Sequence, residues 1–269
     1  MFQMPEPAAS FRILHPDDGP AAELLNPEGQ GLCVLSCEHA SNRVPRALGA
    51  LGLGAEDLSS HIAWDPGALA VAERLSAVLD APLVAQRFSR LVIDCNRAPG
   101  EPGSIAERSE QRSIPGNHGL SEAEIEARIA EVYAPFHAAL EHAMVSRLEA
   151  GSSPVLVTIH SFTPVFLGQA REVELGVLHD TDSRLADRLL ARAASLTGLA
   201  VRRNEPYGPA DRVMHTLQRH GQRHGVMNVM LEIRNDLLAD GVAVDRIAER
   251  LAAWVRDALQ IDHANPGVG

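Results

Sequence analysis

The chain has 269 residues, 45% of them hydrophobic, enough to bury one sizeable core. Its 24 Lys and Arg against 35 Asp and Glu leave a formal net charge of -11, which disfavours non-specific attraction to nucleic acid or anionic lipid and favours a small-molecule partner. No apolar run approaches the roughly 20 residues needed to cross a bilayer, and the N-terminal MFQMPEPAASFRILHPDD has neither a basic nor an apolar signal region, so a soluble, cytoplasmic protein is expected.

Short apolar runs alternate with longer segments of helical period, the pattern of strands feeding crossover helices in a mainly parallel sheet. GLCVLSC (31–37) reads as the first strand and runs straight into Glu38 and His39. PGALAVAERLSAVLDAP then places Leu69, Val71, Leu75, Val78 and Leu79 at helical spacing behind Pro66 and Gly67. LVAQRF (83–88) and LVIDC (91–95) read as strands. The stretch 97–119, rich in Gly, Pro, Ser and charge, is too long for a routine connection and is expected to be a functional loop or a mobile one. Ser121 and Glu124 fit a capping box, and Ile125, Ile129, Val132, Phe136, Leu140 and Met144 share one face of what is expected to be the longest helix, kinked at Pro135. PVLVTIH (154–160), ELGVLH (174–179), residues 200–203 and NVMLEI (228–233) complete the strands. Helices are expected over SRLADRLLARAASLTG, near 211–220 and over 243–260. With no repeat and no linker, the chain reads as one domain over 1–269, its core at about 31–258 and its tails loosely ordered.

Cys33, Cys37 and Cys95 lie in apolar runs without a C-x-x-C pair and read as small buried residues. The polar residues at strand ends carry more information. In a parallel α/β sheet the carboxyl ends of the strands share one edge, where such sheets bind ligands. Here those ends carry Glu38 and His39, then Asp94, Asn96 and Arg97, then His160 and Ser161, then Glu232 and Arg234. His39 and His160 suit a divalent ion, zinc above all, which in catalytic sites takes three protein ligands. The third should be a carboxylate, Asp65 first and Glu38 second; Asn42 would be a weak ligand, and either histidine alone would serve equally to hydrogen-bond a loop. Glu38 and His39 point to opposite faces while the strand lasts, whereas Glu232 and Arg234 share one.

Beside a metal-activated water Glu232 would act as general base; otherwise it forms an ion pair with Arg234 or Arg212. Arg87, Arg90, Arg97 and Arg234 fall in or beside strands and imply an anionic substrate, some of them pairing instead with Asp94 or Asp65. No G-x-S-x-G, G-x-G-x-x-G or P-loop pattern occurs, and Ser161 is too close to His160 for a convincing nucleophile.

Five stretches, EHASNRVP (38–45), WDPGA (64–68), RFSRLVIDCNR (87–97), IHS (159–161) and LEIRNDL (231–237), together resemble the N-formylglutamate amidohydrolase family. That family is similar to the zinc carboxypeptidases and aspartoacylases, so the resemblance implies a single phosphorylase/hydrolase-like α/β domain, a mixed, mainly parallel sheet flanked by helices. It also implies His39 and His160 as zinc ligands, Arg90 polarising the scissile carbonyl, Glu232 as general base, and Asn96 and Arg97 on a substrate carboxylate; Arg234 and Ser161 join the substrate-facing set. Two departures stand out. Asn42 occupies the place of a carboxypeptidase-type Glu, and EHAS replaces a His-Ser-Gly turn. The expected activity is cleavage of an N-acyl amino acid such as N-formyl-L-glutamate, under a cover formed by 98–119. The alternatives are an amidase or carboxypeptidase-like hydrolase on a peptide or other N-acyl substrate, or a non-catalytic anion-binding protein on the same fold.

Overall fold

The structure is a computed structural model and describes residues 11–260. The apolar runs pair into one seven-stranded sheet: β1 Ala22–Leu25, β2 Cys33–Cys37, β3 Leu83–Gln86, β4 Val155–Phe162, β5 Leu175–Leu178, β6 Val201–Arg203 and β7 Asn228–Arg234, in spatial order β1-β3-β2-β4-β7-β5-β6. The central strands β3, β2, β4 and β7 run parallel, while β1 and β5 join them antiparallel. Every residue of β2, β3 and β4 is buried, because helices cover both faces, and this is why these strands read as continuous apolar runs rather than as alternating ones.

Alternation along the strands sorts side chains into two layers. Leu35, Val157 and Leu231 pack with Val71 and Leu75 of α1 (Ala68–Leu79) and with Trp254. Val34, Leu156 and Met230 pack on the opposite face with Phe136, Leu140 and Met144. Positions 160 and 232 have the parity of 156 and 230, and they are register partners across β4 and β7. Two polar side chains are thus set side by side on one face, at the carboxyl edge of the sheet.

The expected long helix is interrupted. α2 (Glu122–Arg128) opens with the Ser121 and Glu124 capping box, passes into a π-helical turn over Ile129–Tyr133, and resumes as α3 (Ala134–Glu149) with Pro135 in its first turn. A proline has no N–H to give to the preceding turn, and the widened turn absorbs that missing bond. The segment near 184–198 likewise divides into α4 (Arg184–Leu190) and α5 (Ala193–Leu196), and the one near 211–220 is mainly a π-helical stretch over Leu217–Gln222. The longest helix is instead α6 (Gly241–Gln260), whose Trp254 is wholly buried with its indole N–H donating to Leu189 O at 2.8 Å.

LVIDC is not a strand. β3 ends at Gln86, and residues 91–95 form turns whose Leu91, Val92, Ile93 and Cys95 are buried in the α3 layer. Their backbone bonds go to loops: Asp94 N–H donates to Ser104 O at 2.7 Å, and the Asn117 and Arg128 side chains donate to Leu91 O and Val92 O. Residues before 31 are not merely a tail, since they supply the edge strand β1. The rest of the tail expectation, 1–10 and 261–269, lies outside the described residues. No helix among the described residues is long and apolar enough to cross a membrane.

Candidate active site

β2 stops at Cys37, so Glu38 and His39 sit in a turn and no longer alternate. Asp65 is brought to them by the WDPG turn, where its N–H donates to His39 O at 3.0 Å. Gly67 follows in the left-handed region at φ 83, and a Cβ there would lie 2.7 Å from Leu238 Cβ, so the turn requires glycine. His160 stands near the end of β4.

The three side chains converge. Asp65 Oδ2 lies 3.3 Å from His39 Nδ1 and 2.9 Å from His160 Nδ1, and the two Nδ1 atoms are 3.2 Å apart. Ligands about 2.0–2.1 Å from a tetrahedral ion lie roughly 3.3 Å from one another, so these atoms already approximate one face of a zinc tetrahedron. Each imidazole also presents its other nitrogen to a carboxylate. His39 Nε2 is 2.8 Å from Asp94 Oδ1, and His160 Nε2 is 3.1 Å from Glu38 Oε2. At His39 the Asp94 carboxylate holds the proton on Nε2 and leaves the Nδ1 lone pair directed inward, as metal-bound histidines require, whereas at His160 the Glu38 carboxylate lies beside Nε2 as an ion-pair neighbour off the hydrogen-bond line. The donor set therefore fits a divalent cation at His39, Asp65 and His160, all buried.

The local field favours positive charge. Burial opposes ionisation of Asp94, yet the neighbouring His39 and Arg90 hold its carboxyl well below the usual range, and Asp65 is lowered against burial by His39 and His160. Burial raises Glu38, but the His160 imidazole offsets this and its pKa ends below the ordinary value. For His160, burial acts downward and Glu38 and Asp65 lift the imidazole well above its ordinary value. His39 is also raised, with burial and Arg90 overcome by Asp94 and Asp65. A cation taking the place of these protons meets the same field.

Glu232 borders the same cavity, only 5% exposed, and its Oε2 has no hydrogen-bond partner among the described residues. Burial pushes its pKa up to about 7. Arg90 donates to Asp65 Oδ1 at 3.5 Å and to Asp94 Oδ2 at 3.0 Å while bordering the cavity. Arg97 also borders it, with Nε 3.6 Å from Asp94 Oδ2. Asn96 also borders the cavity, with its backbone N–H donating to Asp94 Oδ1 at 2.8 Å, while its side-chain amide donates to Val213 O at 2.7 Å and accepts from Thr216 N–H at 3.1 Å, tying two loops together. Ser161 holds Asp65 in place, its N–H donating to Asp65 Oδ2 at 3.3 Å and its hydroxyl to Pro66 O at 2.8 Å.

Two expected residues stand outside the cavity wall. Glu38 is fully buried behind His160 and is its carboxylate partner rather than a member of the converging trio. Arg234 is drawn away by acceptors on its own side: Asp236 Oδ1 at 2.8 Å, Arg171 O at 3.0 Å and Glu174 Oε1 at 3.3 Å. Conversely, Tyr207, Phe166 and Arg108 line the cavity and were not singled out in the sequence. Tyr207 is one of only two tyrosines and sits in the turn-like EPYGP, the one hint available. The cavity, of about 380 Å³, is of small-molecule size.

A family model described as N-formylglutamate amidohydrolase matches residues 32–239. A gene product of Agrobacterium tumefaciens of known crystal structure is 50% identical, with a TM-score of 0.91 over 94% of this chain and 100% of its own. The crystal structure of N-formylglutamate amidohydrolase from Ralstonia eutropha, 21% identical, shares the fold with a TM-score of 0.63 over 91% of this chain and 99% of its own. No curated protein matches the chain.

Proposed function

The chain belongs to the N-formylglutamate amidohydrolase family and is thereby an amidohydrolase, and from that premise we propose that it hydrolyses N-formyl-L-glutamate, or a closely related N-acyl acidic amino acid, with a divalent metal. The observation that carries the metal is the buried trio His39, Asp65 and His160, with a carboxylate behind each imidazole. Zinc is the favoured ion, because two imidazoles and one carboxylate are a borderline donor set. When bound, it would polarise the scissile carbonyl and make water a better nucleophile at neutral pH.

The chain's own groups do the rest. Glu232 Oε2, buried and without a hydrogen-bond partner among the described residues, takes a proton from the attacking water and delivers it to the leaving nitrogen. The C–N bond breaks, formate and the free amine leave, and Glu232 ends as it began. Arg90 turns its remaining N–H groups toward the carbonyl oxygen as negative charge develops there. Arg97 pairs with a substrate carboxylate. Asn96, Ser161 and Glu38 act by holding Asp94, Asp65 and His160 in place.

The test is formate release from N-formyl-L-glutamate by purified protein. Activity should vanish on chelation, return with zinc, and be lost in Glu232→Gln. Turnover indifferent to both chelator and substitution would refute the reading.

A further inference from the structure

The guanidinium groups lining the cavity differ in how far they are already used. Arg90 is held by Asp65 and Asp94. Arg97 has one long contact to Asp94, 3.6 Å, and lies against Gly103, where a Cβ would meet Arg97 Nε at 3.4 Å and the φ of 85 already demands glycine. Arg108 lines the same cavity, and its side chain makes no hydrogen bond or ion pair to any of the described residues. A guanidinium carries five donors, so most of those on Arg97 and all of those on Arg108 are free. In a chain of net charge -11, two under-used guanidiniums on one cavity wall are matched to an anion from outside.

Arg108 is exposed but not on a loose segment. It opens a small hairpin, Arg108–Ser109 pairing with Arg112–Ser113, that is pinned to the neighbouring segment from both sides: His61 Nε2 lies 2.6 Å from Glu110 Oε1, and Arg112 Nε 3.1 Å from Asp57 Oδ1. At its root, Ile114 N–H donates to Glu107 O at 2.9 Å, and the buried Asn117 amide donates to Ala106 O at 2.7 Å. The remaining negative charge in the hairpin, Glu110, is thus occupied by His61. A pinned backbone presenting an unpaired cation is suited to recognition, since little order has to be created on binding.

We propose that Arg108, on the hairpin, is a second carboxylate anchor, for the side-chain carboxylate, apart from the one that the proposed function gives to Arg97, so that preference for a dicarboxylic substrate resides in this hairpin. The inference rests on the amidohydrolase reading for the identity of the substrate, but not for the existence of the anion subsite.

The experiment compares N-formyl-L-glutamate with N-formyl-L-glutamine, its isostere with an uncharged side chain, in the parent protein, Arg108→Gln and Arg108→Lys, by kcat/KM and by calorimetric Kd. One charge-assisted anchor corresponds to about 10- to 100-fold. The parent should prefer the glutamate compound by that factor, Arg108→Gln should bring the ratio close to one, chiefly through KM for the glutamate compound, and Arg108→Lys should restore part of it. A parent without preference, or a ratio that Arg108→Gln leaves intact, overturns the subsite even if hydrolysis proceeds. An Arg108-dependent binding preference without turnover supports the subsite and removes the hydrolytic reading instead. Failure to bind either compound removes both.

Discussion

Glu232→Gln replaces a carboxyl by a group of the same shape that cannot ionise, and its effect on stability follows from where Glu232 sits. The side chain is buried, one oxygen has no hydrogen-bond partner among the described residues, and burial lifts its pKa from an ordinary 4.5 to about 7. In the pH range between those values the folded protein holds a proton that the unfolded chain releases. The folded state therefore loses stability as pH rises through that window, and the cost is complete above it. About 2.5 pK units at roughly 1.4 kcal/mol each is a cost of about 3 kcal/mol at pH 8. Relative to the parent, metal-free Glu232→Gln should gain that amount at pH 8 and nothing at pH 4, corresponding to roughly 6–10 °C in Tm at pH 8 for a chain of this size. The assay is denaturant and thermal unfolding of both proteins in chelator at pH 4, 6 and 8; taking the difference between them cancels the other titrating groups. Zinc should shrink the difference, because a nearby cation favours the ionised carboxylate. A difference independent of pH, or a parent more stable at pH 8, would show that Glu232 is not a strained acid poised to accept a proton.

Other consequences are equally direct. Because Glu232 must be ionised to take a proton, the rate should rise with pH along an acid limb whose midpoint lies below about 7 once a cation is bound, read from kcat/KM against pH. Asp94→Asn removes the charge facing His39 Nε2 and should weaken metal binding about 10- to 100-fold in competition with a chromophoric chelator. Gly67→Ala forces a side chain into a left-handed turn and against Leu238; it should cost on the order of 1–3 kcal/mol in denaturant melts and also lower metal affinity, because Asp65 hangs on that turn. Trp254→Ala, in the helical layer away from the cavity, should cost about 3–5 kcal/mol while the folded fraction keeps its specific activity.

The sheet was legible because its central strands are buried on both faces, and burial on both faces leaves a mark in composition. The same mark misled at LVIDC, which is apolar for the α3 layer and pairs with no strand among the described residues; beyond Gln86 the ladder of β3 extends by one bond, Arg87 N–H to Ala21 O, and stops. Helix interruptions at Pro135 and near Ala191 depend on which turn yields, a matter of packing rather than periodicity. His39, His160 and Glu232 could be read because polar residues at the ends of apolar strands need a reason to be there; Asp65, in the WDPG turn, was legible only as a carboxylate near them in the chain. Arg234 met that criterion too, but its destination was set by Glu174 and Asp236, whose proximity only the fold reveals. Arg108 and Tyr207 come from loops, where no period announces which side chain turns inward.

The most direct test of the account is anomalous diffraction at the zinc edge from crystals of the zinc-loaded protein. One peak should lie about 2.0–2.2 Å from His39 Nδ1, His160 Nδ1 and an Asp65 carboxylate oxygen, with Glu232 beside it and Glu38 remaining on His160 Nε2. An ion held through an imidazole Nε2 or by Glu38, or full soaking with no peak among these residues, would contradict the assignment.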